Sequence, residues 1–108
     1  MKKETREAFE QVALAMYKST RYRIGGLKRR KNLTGEYREI LMDKELSFRA
    51  NSYWLLLQLR DEDRQTRTYP TAFLRKDQHT PDIFRRNLKD ILGENHPEID
   101  NIINFVFK

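Results

Sequence analysis

The chain of 108 residues contains no cysteine. Disulfides, thiolate metal sites and cysteine nucleophiles are excluded together, and the expected compartment is the reducing cytoplasm. Histidine is nearly absent: His79 and His96 are the only two. Both sit beside expected helix starts, where they serve as surface or capping residues, so no metal site is expected. The longest apolar run, Tyr53 to Leu57, is far short of the roughly 20 residues a membrane helix needs, and no membrane partner is expected. The first residues, MKKE, lead into an amphipathic stretch with no apolar signal core. No serine stands in a nucleophile-elbow context, and Asp61, Glu62 and Asp63 are consecutive, so their side chains splay apart rather than converge on a cation. Catalytic groups and cofactors are accordingly not expected, and the chain reads as a non-enzyme.

Acid is missing from one long stretch. Residues 18–31 hold Lys18, Arg21, Arg23, Lys28, Arg29, Arg30 and Lys31 with no Asp or Glu among them. That segment alone carries +7 against a net charge of +6, leaving the remainder at −1. A charge excess confined to one segment is the footprint of a polyanion partner, although a solvated basic linker has the same composition. Gly25-Gly26 lies within it and favours a turn, so residues 21–35 read as a glycine-hinged basic arm. The glycines do not have phosphate-loop spacing, which requires four residues between glycines and then Lys-Ser/Thr before a helix. On a single-stranded target, Tyr17 and Tyr22 are placed to stack on bases.

What is present is helical periodicity. Phe9, Val12, Ala13 and Met16, widened by Tyr17, share one face of an N-terminal helix spanning about 4–18. Tyr37, Ile40 and Leu41 read as a short strand before a turn at Asp43-Lys44. Residues 43–65 lack Val, Ile and Thr, which argues against a strand there. A helix over 47–60 is expected, with Ser47 as N-cap and Ala50, Tyr53, Trp54 and Leu57 as its main stripe. The alternative is an α+β fold with a β-hairpin over 53–75. Pro70 suits the first turn of a short helix to 77, with Ala72, Phe73 and Leu74 inward. The clearest element is a helix over 80–92: Thr80 is its N-cap, Pro81 its first residue, Asp82 complements its dipole and Gly93 ends it. Its exposed stripe is Asp82, Arg85, Arg86 and Lys89. The tail fits either a helix, with Asn95 and Glu98 as a capping box, or a strand, because "IINFVF" is β-branched and aromatic.

The short helix, the turn at 77–79 and the capped helix compose a helix-turn-helix, in which Thr80, Arg85, Arg86 and Lys89 would meet a groove or phosphates. Residues 40–92, "ILMDKELSFRANSYWLLLQLRDED…TYPTAFLRKD…TPDIFRRNLKDIL", resemble the winged-helix domain of phage and plasmid replication initiators and related primosomal proteins. Leu46, Ser47 and Ala50 match the opening of that family's first helix, Tyr69-Pro70 the second, and Thr80 with Leu88-Lys89-Asp90-Ile91 the recognition helix. The resemblance implies DNA binding in replication or regulation, and a wing strand formed by the tail.

The expectation is thus a single, mainly α domain over 1–108: an N-terminal helix (1–20), a basic arm (21–35) and a winged-helix-like three-helix core (36–108) with short β elements. It binds nucleic acid, DNA ahead of RNA, through Arg21, Arg23, Lys28, Arg29, Arg30, Lys31, Thr80, Arg85, Arg86 and Lys89. Two other readings remain: an interaction or inhibitor module that docks on an acidic protein, with tail aromatics forming a dimer or partner patch, and a basic ribonuclease toxin.

Overall fold

The computed structural model describes residues 1–30, 32, 34–62 and 76–107. Four α-helices follow in order: α1 (Lys3–Arg29), α2 (Gly35–Glu62), α3 (Pro81–Leu92) and α4 (Glu98–Val106), with a 3-10 turn at Lys76–Gln78 before α3. Among the described residues there is no strand. α1 and α2 form a long helical hairpin, and α3 and α4 pack at one end of it. At 1.5 Å per residue α1 is about 40 Å long, which accounts for most of the 47 Å longest dimension.

α1 is longer than its periodicity suggests. The expected break at Gly25-Gly26 does not occur, and residues 21–29 of the expected arm are helix. Each mid-helix glycine costs about 1 kcal/mol relative to alanine. Against this, Ile24 and Leu27 are buried, and burial of each is worth about 1.5–3 kcal/mol. Tertiary packing overrides the local preference. Lys28 and Arg29 in the last turn also suit the negative end of the helix dipole.

The turn into α2 is tied at two points. The Arg38 guanidinium donates to the Arg30 carbonyl. The Thr34 hydroxyl accepts from the Tyr37 N–H at 3.3 Å, and its carbonyl accepts from the Arg38 N–H at 2.9 Å, so Thr34 caps α2. The strand expected near Tyr37 is therefore the first turns of α2. Ser47 is not an N-cap; it lies buried in mid-helix. Because α2 continues to Glu62, the first half of the alternative hairpin over 53–75 is excluded. Its second half and most of the expected helix over 70–77 fall outside the described residues, except for the 3-10 turn.

α3 matches its sequence reading. The Thr80 hydroxyl accepts from the Ile83 N–H at 3.3 Å, Pro81 opens the helix, and Gly93 ends it at φ +97°, a conformation that favours glycine. The tail is helix α4 rather than a wing strand. Its β-branched residues form a buried helical face, Ile99, Ile102, Ile103 and Val106, at 3.6-residue spacing. No capping box forms with Asn95; the His96 Nδ1 accepts from the Glu98 N–H instead, at 3.1 Å.

The core joins Phe9, Val12, Ala13 and Met16 of α1 to Phe48, Leu55 and Leu59 of α2, and to the inner faces of α3 and α4. None of its buried members falls between Met16 and Phe48. The tail aromatics belong to it: Phe105 packs against Phe9 at 5.6 Å between ring centroids, and Phe107 meets Phe84 edge-on at 5.8 Å. They form no open patch. Among the described residues, the large hydrophobics that are exposed beyond the first residue are Tyr22, Tyr37 and Ile40, at the far end of the hairpin.

Candidate nucleic-acid interface

The buried residues of α1 fix which way its cations point. With Phe9, Met16, Thr20, Ile24 and Leu27 turned inward, 100° per residue places Lys18, Tyr22, Gly25 and Arg29 on the opposite side, with Arg21 and Lys28 on one flank of that stripe. All four cations are exposed, and no ion pair joins Arg21, Lys28 or Arg29 to a described residue. The Arg29 guanidinium folds back over Gly25, where a Cβ would stand 3.5 Å from its Nη2.

Arg23 behaves differently. It turns toward α2, where its Nη1 lies 3.7 Å from Glu45 Oε1, and its guanidinium carbon sits 6.0 Å from the centre of the Phe48 ring. Burial pushes the Glu45 carboxyl above its usual range, an effect that Arg23 opposes.

Arg23 and Glu45 are at one side of a groove of about 370 Å³ between the two long helices. Its inner wall is Gly26, Leu27 and Leu41, and Tyr22 and Arg30 stand at its outer rim. Tyr22 is 80% exposed. On α1, Gly26 falls between the two rim residues at i, i+4, i+8 spacing, Tyr22, Gly26, Arg30, so this row of side chains has a gap at its middle member. A Cβ built at Gly26 would meet nothing within 4 Å.

The stripe expected on α3 is balanced rather than basic. Arg85, Arg86 and Lys89 line a depression together with Asp82, Asp90 and Glu94, three positive and three negative groups. Arg85 is further engaged by Asp100 of α4, at 2.6 Å. Thr80 is exposed, but its hydroxyl is occupied as the helix cap. The depression on α3 and the groove on α1 share no lining residue. Lys31 lies outside the described residues.

The histidines are structural in their surroundings. His79 stacks on Trp54 at 4.3 Å, and its Nδ1 faces the Asn51 side-chain amide at 3.5 Å. Asn51 also donates to the Gln78 carbonyl at 3.0 Å and accepts from Asn87 at 2.8 Å. This chain of contacts pins the turn before α3 onto α2. Burial lowers the His79 pKa, with Asp77 opposing. Among the described residues, no three His, Asp or Glu side chains are grouped to hold a metal ion, and no helix is long and apolar enough to cross a membrane.

Leu41 and Glu45 escaped the sequence reading as groove residues because α2 was expected to begin twelve residues later. The signal for Gly26 was present in the four-residue spacing from Tyr22 to Arg30. No protein family, curated protein or solved structure matches the chain.

Proposed function

We propose that the protein binds nucleic acid through the outer face of α1 at the far end of the hairpin. The observation that carries this reading is the acid-free stripe of Lys18, Arg21, Lys28 and Arg29, exposed and joined to no described acid. The helix dipole gives a structural reason for Lys28 and Arg29 in the last turn, but Lys18 and Arg21 precede that turn. The balanced charge on α3 supports a secondary role for Arg85, Arg86 and Lys89. A winged-helix assignment for residues 40–92, and with it a role in replication or regulation of a mobile element with DNA as target, rests on the sequence resemblance. α3 and its Thr80 cap support it, and its wing would have to come from a segment other than 99–107, which is helix.

The test is fluorescence anisotropy of a labelled oligonucleotide over a range of salt. Each phosphate neutralised contributes about −0.9 to the log–log salt slope on duplex DNA and about −0.7 on a single strand. The charge-reversed variant Arg21→Glu/Lys28→Glu is expected to bind at least about tenfold more weakly, with a slope shallower by about 1.4–1.8. Unchanged affinity and slope would remove the proposal. A second reading, docking on an acidic protein, is favoured by Tyr37 and Ile40, which leave apolar surface open at the same end of the hairpin. It predicts a protein partner that is retained after nuclease treatment.

A further inference from the structure

We propose that the groove between Tyr22, Gly26 and Leu41 is a slot for an unpaired nucleobase, so that the protein selects single-stranded over duplex nucleic acid. This rests on the α1 stripe as the phosphate-binding surface and adds what that surface distinguishes.

Three observations converge on the slot. The first is an unexplained glycine. Gly26 weakens the helix by about 1 kcal/mol relative to alanine, yet no neighbour requires its small size, since a Cβ there would enter open space. Gly26 lines the groove, midway between Tyr22 and Arg30 along α1. A side chain at position 26 would fill the gap between Tyr22 and Arg30, and its absence is what gives the slot depth.

The second is the lining. A nucleobase needs a flat apolar contact on its face and solvent or polar groups at its edge. Tyr22 supplies an exposed ring at the rim, and Leu27 and Leu41 supply an apolar inner wall. The volume of about 370 Å³ lies within the range of about 300–1,000 Å³ common for small-molecule sites. Base–aromatic stacking tolerates any base, because each has a π-face.

The third is charge. Arg30 stands at one end of the slot. Lys18 and Arg29 lie on the adjacent outer face, within reach of the phosphates beside an inserted base, while Arg21 and Lys28 stand on the flank of α1 away from the slot, where a continuing strand would pass. The single acid in the groove, Glu45, is paired with Arg23, which limits its repulsion of a phosphate. A duplex keeps its bases stacked and paired, so it reaches the outer stripe but not the slot.

The experiment compares anisotropy titrations of a fluorescein-labelled thymidine single strand and the matching duplex at one low salt concentration. The key variant is Gly26→Leu, which fills the slot and replaces a helix-weakening residue with a helix former. It should retain the wild-type circular dichroism and melt no lower than wild type. Its single-strand affinity should fall about tenfold while duplex affinity holds, the loss expected for one stacked base. Tyr22→Ala should behave likewise, and Tyr22→Phe should bind as wild type. The slot is refuted if Gly26→Leu and Tyr22→Ala leave single-strand binding unchanged, or if they weaken single strand and duplex equally. The separate control is Arg21→Glu/Lys28→Glu: if it binds both ligands as tightly as wild type, the phosphate surface itself is wrong. If it weakens both and the slot variants do nothing, only the slot is wrong.

Discussion

The two halves of the helical hairpin are built from the same kind of helix and are held by different means. In the inner half, α1 and α2 are covered by α3 and α4, and the buried side chains form one continuous cluster from Phe9 to Val106. In the outer half, among the described residues, α1 and α2 have only each other. Ile24 and Leu27 are buried there, but no residue of α2 before Ser47 is. The outer half also carries the glycine pair, the unopposed cations and the exposed aromatics. Stability and charge are thus segregated along one rod: the part that holds the fold together is not the part that presents the candidate interface.

The largest expected effect tests the inner half. Phe84 is fully buried where α3 meets α4, and Phe84→Ala should cost about 3–5 kcal/mol in urea denaturation, a large share of the whole stability of a small domain. A loss below about 1 kcal/mol would mean that the core is not where the packing puts it. The second prediction concerns the contrast itself. Hydrogen exchange of the amides in 21–29 and 36–45 should be at least about tenfold faster than in 9–16 and 48–59, because local opening there breaks few buried contacts. Equal protection across both halves would make the hairpin a single cooperative unit. Third, Gly25→Ala should raise stability by about 1 kcal/mol or less. Its new Cβ makes an ordinary contact with the Arg29 guanidinium, so a destabilised variant would point to an arginine position that the fold requires.

The smallest effect is a pH dependence confined to the inner half. His79 has its pKa lowered from its ordinary value near 6.5 by burial. Well above pH 6.5 it is neutral in both folded and unfolded chains and contributes no pH dependence. As pH falls below that value the unfolded chain takes up a proton first, so stability declines until the folded-state pKa is passed. His79→Phe keeps a ring against Trp54 and should flatten the thermal-stability profile over that window. A profile of unchanged slope would remove His79 as its source.

Much of the inner half was legible in the sequence because burial there follows helical spacing. Phe9, Val12, Ala13 and Met16, and the Thr80–Pro81 start with its Gly93 stop, stand in the structure as their pattern predicts. The outer half was not legible for a physical reason. Gly25-Gly26 disfavours a helix locally, and only contact with a distant segment restores it. Tyr37, Ile40 and Leu41 have i, i+3, i+4 spacing that suits a helix as well as a strand, and the deciding signal, the Thr34 cap, lies in an arm that composition marks as irregular. The tail shows the same limit: β-branched residues form α4 because packing against α1 and α3 supplies what intrinsic preference does not. The cations were found as a set, but their sorting was invisible. Only a helix phase shows Arg23 turned to Glu45 and Arg29 turned to solvent, and only the fold sets Asp100 beside Arg85.

The distance between core and tip has a mechanical meaning. Arg29 lies thirteen residues beyond Met16, the last α1 member of the core cluster, which is about 20 Å along the helix axis. The hairpin therefore has the geometry of a lever. A tilt of about 5° where α1 rests on the core would sweep its end through about 1.7 Å, enough to break a hydrogen bond to a phosphate. Anything that shifts the seating of the short helices would be felt, magnified, at the far end of the rod.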